Sequence, residues 1–281
     1  MASPEISAPR PSRVSAARRL AKRAFRERDR RFLAEGPQAV REALVNARAG
    51  VSAVRDVFLT AEAAQRNPGF EDVPAGVTVY RVEERVLGEI AQTVTPQGVV
   101  AVCDFLDVPL EHQFQSVVGG RPRLIALLAH VRDPGNAGTV IRCADAAGAD
   151  GVILSSGSVD VYNPKAVRSS AGSVFHLPIT VDVELPDTIA ALKRAGLTVL
   201  AADGGVPGAI DLDRAGDDGL LTGPIAWLFG NEAWGLPREI RDLADHVVSV
   251  PIHGRAESLN LGTAAAVCLY ATASAQRRAA R

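Results

Sequence analysis

The sequence has little of what marks a metal-bound, disulfide-framed or membrane-spanning chain. Cys103, Cys143 and Cys268 are the 3 cysteines in 281 residues, and they form no CxxC pair. An odd, scattered set of this kind reads as small buried apolar residues in a reducing compartment. The 5 histidines, at positions 112, 130, 176, 246 and 253, lack zinc-type spacing. Glu232 has no companion carboxylate at ligand spacing, so no metal is expected. No apolar run approaches the ~20 residues of a membrane span. The N-terminus lacks the apolar segment of a secretory signal. Its Arg- and Ser-rich composition would also suit a transit peptide, but a plain basic arm is the simpler reading, and a cytoplasmic location is expected. The GxGxxG fingerprint and the GxxxxGK loop are both missing, which argues against a Rossmann or P-loop nucleotide site. No GxSxG elbow appears. His253 and Ser258 share a loop, yet nothing places them in register as base and nucleophile. There is no internal repeat and no low-complexity tract.

Hydrophobic residues make up 47% of the chain, enough for a sizeable core in one large or two modest domains. The formal net charge is −1, so the average is uninformative about nucleic acid. The distribution is not: Arg18, Arg19, Lys22, Arg23, Arg26, Arg28, Arg30 and Arg31 are opposed locally only by Glu27 and Asp29. Such a cluster is an electrostatic footprint for phosphates; the alternative is a solvated helix face laced with i,i+4 pairs. Residues 1–12, with three prolines, are expected to be disordered.

Pro37 fits the first turn of a helix with Val40, Ala43 and Leu44 as its apolar stripe. Strands are expected at 54–60, 77–82 and 98–103, with short helices at 61–65 and 84–91. These make a small α/β domain over residues 13–105. Residues 106–121, polar and with Gly119-Gly120, read as a linker. From Leu124 the pattern changes. Leu124 to Ala129 is a continuous apolar run, as expected of a strand buried on both faces of a parallel sheet. Thr139 to Ala147 reads as a helix stopped by Gly148, and Gly151 to Leu154 as the next strand. Further strands are expected at 175–179, 199–202, 225–229 and 247–250. Helices are expected near 165–170, 187–195, 237–243 and 261–277. The alternation predicts an α/β fold, a doubly wound domain with a parallel sheet over residues 122–281.

Two loops stand out. Trp227-Leu-Phe-Gly-Asn-Glu-Ala-Trp-Gly-Leu-Pro237 and Val248-Ser-Val-Pro-Ile-His-Gly-Arg-Ala-Glu-Ser-Leu-Asn-Leu-Gly262 each follow a strand and precede a helix. Ligands of open α/β sheets sit outside the carboxyl ends of strands, and glycines let main chain approach them. A third loop, His130-Val-Arg-Asp-Pro-Gly-Asn-Ala-Gly138, enters a helix whose first turn Asn136 can cap and whose positive end suits phosphate. Arg142 lies six residues on, on the face away from the apolar stripe.

These residues carry a resemblance. Asn136-x-Gly-x-x-x-Arg142, Phe229-Gly-Asn-Glu-x-x-Gly235 and the Pro251…Ser258-Leu-Asn260 block occur in the order and spacing of the SpoU (TrmH-like) branch of the SPOUT RNA methyltransferases. The basic N-terminal region resembles that family's RNA-recognition domain less distinctly. The stretch His253-Gly-Arg255-Ala-Glu257 departs from the smaller residues common there. The resemblance implies a trefoil knot in the C-terminal domain, a homodimer, S-adenosylmethionine as cofactor, and methyl transfer to a ribose 2′-hydroxyl. It puts cofactor contacts on Gly230, Val250 and Leu259, with Leu228, Ile252, Leu261 and Ala202 beside them. The catalytic group falls on Arg142, helped by Asn136, Glu232, Ser258 and Asn260. Arg168 would reach a partner's site or the RNA, and Arg18, Arg19, Lys22, Arg23 and Arg26 would bind RNA. The family is usually described with arginine as base. A guanidinium holds its proton above pH ~12, so gripping a phosphate and stabilising the developing alkoxide suit Arg142 better. By analogy the resemblance points to ribosomal rather than transfer RNA, because a distinct N-terminal α/β domain usually accompanies ribosomal targets. Transfer RNA and an inactive RNA-binding member are the alternatives.

Overall fold

The computed structural model describes residues 6–52, 54–115 and 122–280. The last residues of the expected linker, 116–121, and the first five of the expected disordered tail lie outside them. In chain order the elements are β1 (Ile6–Ser7), α1 (Pro11–Arg19), α2 (Arg23–Asp29), β2 (Arg31–Glu35), α3 (Pro37–Arg48), β3 (Val54–Leu59), α4 (Ala61–Arg66), β4 (Thr78–Arg81), α5 (Glu84–Ile90) and β5 (Val99–Asp104). Then come β6 (Leu124–Leu128), α6 (Pro134–Ala147), β7 (Gly151–Ser155), α7 (Pro164–Ser169), β8 (Ile179–Val183), α8 (Leu185–Arg194), β9 (Thr198–Ala202) and β10 (Ile210–Asp211). The last are α9 (Leu212–Asp217), β11 (Ile225–Phe229), α10 (Arg238–Arg241), β12 (His246–Ser249) and α11 (Leu261–Ala279).

The chain forms two compact units, residues 1–106 with 160–176, and residues 107–159 with 177–281. The first unit holds a mixed five-stranded sheet in the order β1-β4-β3-β5-β2. Residues 6–12 are therefore not disordered: β1 pairs parallel with β4, and Pro11 opens α1. The strand β2 is absent from the sequence expectations because its five residues carry no alternation; four of them are buried. Residues 160–176, which the sequence pattern assigns to the C-terminal domain, pack in this first unit. Three contacts explain it. Arg26 bonds Asp160, and Tyr162 stacks on Phe105 at 3.9 Å between ring centres and lies 4.7 Å from Phe32.

The second unit is a seven-stranded sheet, order β10-β12-β9-β11-β6-β7-β8, with every pair parallel. Its central strands β6, β7 and β11 are buried at every position, as parallel strands covered on both faces must be. The expected strand at 175–179 is instead a 3-10 turn at Ser173–Phe175 followed by β8. Part of the expected linker also has structure. Leu110–Phe114 is a 3-10 turn whose buried Gln113 donates to the carbonyl of Pro178 and the hydroxyl of Thr180.

One helix pair positions the site. α11 packs on α6, and its buried residues include the small Gly262, Ala265 and Ala273. A Cβ on Gly262 would lie 2.7 Å from Cγ2 of Thr139, so the helices meet at a distance that only glycine allows there. Trp227 anchors β11 to the same helix, its indole N–H donating to Thr272 Oγ1 at 2.9 Å. Asp133 caps α6 before Pro134 in its first turn, and Gly148 closes it at φ 78°.

Candidate active site

The loops after β6, β11 and β12 are drawn together by a short polar network. Glu232 is its hub. Its carboxylate accepts from the backbone N–H of Arg132 at 3.2 Å, from that of Asp133 at 3.1 Å, and from Asn136 Nδ2 at 3.1 Å. Asn136 Oδ1 in turn accepts from Asn260 Nδ2 at 3.0 Å. Asn260 also caps α11, its Oδ1 accepting from Gly262 N. Partial burial works against the charged Glu232, but the bonds from Asn136 and from backbone N–H groups outweigh it and hold the carboxyl below its ordinary range.

The network corrects one expectation. The sequence pattern puts the α6 cap on Asn136, but Asp133 Oδ1 accepts from Asn136 N at 2.9 Å. With the cap supplied from Asp133, the Asn136 side chain is free to link the other two loops.

Around Glu232 the backbone is tightly constrained. Asn231 and Gly235 exchange backbone hydrogen bonds of 2.9 Å in both directions, closing a turn with Gly235 at φ 69°. A Cβ on Gly230 would stand 2.5 Å from the Gly235 carbonyl carbon, so no larger residue fits. Buried Asn231 donates to the carbonyl of His130 at 2.6 Å. His130 itself holds a left-handed backbone, φ 53°, uncommon for a non-glycine residue. Its N–H donates to Ser155 Oγ.

Beside the network lies a cavity of about 940 Å³, at the carboxyl ends of β9, β11 and β12. That is within the ~300–1,000 Å³ usual for small-molecule sites. Ala202, Val250, Ile252, Leu259, Leu261 and Ala264 give it apolar walls, and Gly204, Gly205 and Gly230 expose main chain to it. Apolar walls suit an adenosyl ring, exposed main chain suits its heteroatoms, and the Glu232 carboxylate on the rim suits a positively charged sulfonium. The donor set therefore fits S-adenosylmethionine. Among the described residues, no group of three or more His, Cys, Asp or Glu could hold a metal ion, and no helix is long and apolar enough to cross a membrane.

Of the residues singled out from the sequence, Gly230, Glu232, Val250, Ile252, Ser258, Leu259, Asn260, Leu261 and Ala202 all line this cavity. Leu228 does not; its side chain is fully buried in the core between β9 and β6. Arg142 is exposed on α6, outside the lining, about 9 Å along the helix axis from Asn136 at 1.5 Å per residue. Arg168 belongs to the first unit, where it is ion-paired with Glu35 at 3.5 Å. Arg18, Arg19, Lys22 and Arg23 are exposed. Arg26 is not, and its assignment to RNA binding is overturned. Its guanidinium is 2% exposed, bonds Asp160 through Nε and Nη2, and donates through Nη1 to the carbonyls of Leu20 and Ala21. All three nitrogens of that side chain donate to groups inside the protein. Sequence reasoning missed Asn231, Asp133 and Asp203. The last lines the cavity and pairs with Arg241 at 3.1 Å. Asn231 sits inside a motif already in hand; Asp203 carries no local signal.

Fold and cavity together define a parallel α/β domain that binds a small molecule at the carboxyl edge of its sheet, joined to a second α/β unit. Residues 123–270 match the SpoU rRNA Methylase family, and residues 12–101 match the MRM3-like substrate binding domain. The chain belongs to the SpoU rRNA methylase family, whose characterised relatives are RNA 2′-O-ribose methyltransferases that use S-adenosylmethionine. It is 32% identical to the 23S rRNA (guanosine(2553)-2′-O)-methyltransferase RlmP of Bacillus subtilis, over 95% of this chain and 98% of that one. It is 38% identical to the 23S rRNA (uridine(2479)-2′-O)-methyltransferase of Streptomyces viridochromogenes over 62% of this chain and 59% of that one. The AdoMet-bound rRNA methyltransferase from Sinorhizobium meliloti superposes with a TM-score of 0.78 at 30% identity, covering 95% of this chain and 97% of that one.

Proposed function

We propose that this chain methylates a ribose 2′-hydroxyl of ribosomal RNA, as a cytoplasmic homodimer. The observation that carries the reading is the Glu232–Asn136–Asn260 network, which fixes three loops beside a cavity of cofactor size. Ribosomal RNA is favoured because both of the 23S rRNA methyltransferases above match this chain well and one does so over nearly its whole length. The match of residues 12–101 to a substrate binding domain supports the same target.

S-adenosylmethionine would supply an electrophilic methyl group. Ala202, Gly230, Val250, Ile252, Leu259 and Leu261 would hold it. Such a transfer is an in-line displacement, so most of the rate comes from positioning. Asn136, Glu232 and Asn260 would keep the loops in register, and Ser258 would face the ribose. Arg142 would grip the target's phosphate and stabilise the oxygen as it loses its proton. The proton would leave through water or the phosphate. Arg168 and the exposed Arg18, Arg19, Lys22 and Arg23 would hold the RNA. The knot belongs to this reading: β12 lies beside β9 and β9 beside β11, out of sequence order, and α11 returns to α6.

Mass-spectrometric mapping of 2′-O-methyl groups in RNA from cells with and without the protein tests the proposal. One ribosomal nucleotide should lose its methyl group when the protein is absent. Unchanged ribosomal RNA with a lost methyl in transfer RNA would move the target, and no change anywhere would remove the activity.

A further inference from the structure

The turn that carries Glu232 also displays a large aromatic ring. Of the 2 tryptophans, Trp227 is fully buried, whereas Trp234 is 50% exposed. Core packing does not account for Trp234, which contributes nothing to the cavity lining either. The turn around it is closed by hydrogen bonds. Asn231 and Gly235 close it from both sides, Asn231 Oδ1 accepts from Ala233 N at 2.8 Å, and Leu236 is buried in the core immediately after. The guanidinium of Arg132 lies over the indole, 4.9 Å from the ring centre. Arg132 is held from the other side, because its backbone N–H donates to Glu232. An exposed indole and a planar cation are thus fixed as a pair at the edge of the site, by the same carboxylate that organises it.

We infer that Trp234 and Arg132 form a stacking platform for an unpaired base of the RNA, the target base or its neighbour. The inference rests on the methyltransferase reading above. Single-stranded RNA is held by aromatic and guanidinium planes on which splayed-out bases stack. A base on the indole and a phosphate near the guanidinium would use both groups at once. The position fits a substrate contact rather than a cofactor contact: Asn231, Glu232 and Gly235 line the cavity, while Trp234 stands outside it.

The test uses full-length protein with S-adenosylmethionine and deproteinised ribosomal RNA from cells lacking the protein. Trp234→Ala should raise KM for that RNA roughly 10- to 100-fold, the usual loss for a removed base–aromatic stack. The cofactor Kd from calorimetry and the sedimentation coefficient should not move, and Trp234→Phe should recover most of the loss. Because Trp227 is buried, RNA should quench the emission of the exposed indole, and Arg132→Ala should weaken that quenching. An unchanged KM in Trp234→Ala would sink the platform. So would a changed sedimentation coefficient, which would show the indole covered by a second copy of the chain. If the wild-type protein transfers no methyl to this RNA, the methyltransferase reading fails separately; quenching by RNA then decides the platform, and its absence ends it.

Discussion

Glu232 takes three donors from the residues that open α6, so its charge does structural work at the mouth of the cavity. Hydrogen bonds to charged groups are worth about 1.5–3 kcal/mol, less where solvent competes, and Glu232 is exposed. Glu232→Gln keeps the shape but replaces one acceptor oxygen with a donor. It should weaken cofactor binding by roughly tenfold, ~1.4 kcal/mol, in calorimetry. The pH dependence follows from the lowered carboxyl. A folded value below the ordinary 4.5 means the stabilisation is complete above that value and fades as pH falls through the lowered one. Glu232 should therefore contribute to thermal stability fully above about pH 4.5 and progressively less below it, and melting curves of the Glu232→Gln variant should lack this acid limb. Arg142 calls for a different measurement. It is exposed, so Arg142→Lys should leave thermal stability within about 0.5 kcal/mol. Turnover should fall by roughly 10²–10³, as when one oxyanion donor is removed. Near-normal turnover would dismiss both the base and the phosphate-gripping roles.

At the scale of elements, α6 and α11 depend on Gly262. A Cβ there meets Cγ2 of Thr139 at 2.7 Å and its Cβ at 3.1 Å, both on a helix that cannot give way cheaply. Gly262→Ala should destabilise the protein by about 1–3 kcal/mol in chemical denaturation. Adding Thr139→Ser, which removes the nearest carbon, should recover part of that loss, a coupling that a double-mutant cycle measures directly. The paired elements of the first unit have their own anchor. Arg26→Ala would leave the Asp160 carboxylate, 11% exposed, with the Tyr162 N–H but without its cation, a defect of up to about 3–5 kcal/mol. It should appear as lower thermal stability rather than as weaker salt dependence of RNA binding.

Across the whole molecule the net charge is −1, so attraction to RNA must come from local clusters. Arg18, Arg19 and Lys22 are exposed on or beside α1. Replacing all three by alanine should reduce the slope of log Kobs against log salt by roughly 2–3, at 0.7–0.9 per phosphate neutralised. Filter binding at several salt concentrations reads this slope. An unchanged slope would place the RNA elsewhere. Burial also separates Cys268 from chemistry: desolvation pushes its thiol up to about 12, far from reactivity.

Periodicity and loop composition were enough to read the parallel α/β domain, because its central strands must be apolar on both faces and its helices apolar on one. They also located the three loops, since Gly, Asn and Glu after an apolar run have few other uses. Local pattern could not say that Asp133 rather than Asn136 caps α6, since both are good caps three residues apart. Nor could it tell Arg26 from Arg18 and Arg19. All three are arginines in one basic stretch, and only tertiary packing places Asp160, 134 residues on, against one of them. The membership of residues 160–176 was hidden for the same reason. Secondary structure is a property of neighbours in sequence, whereas the buried ion pair and the ring stack that hold this segment join residues that only the folded chain brings together.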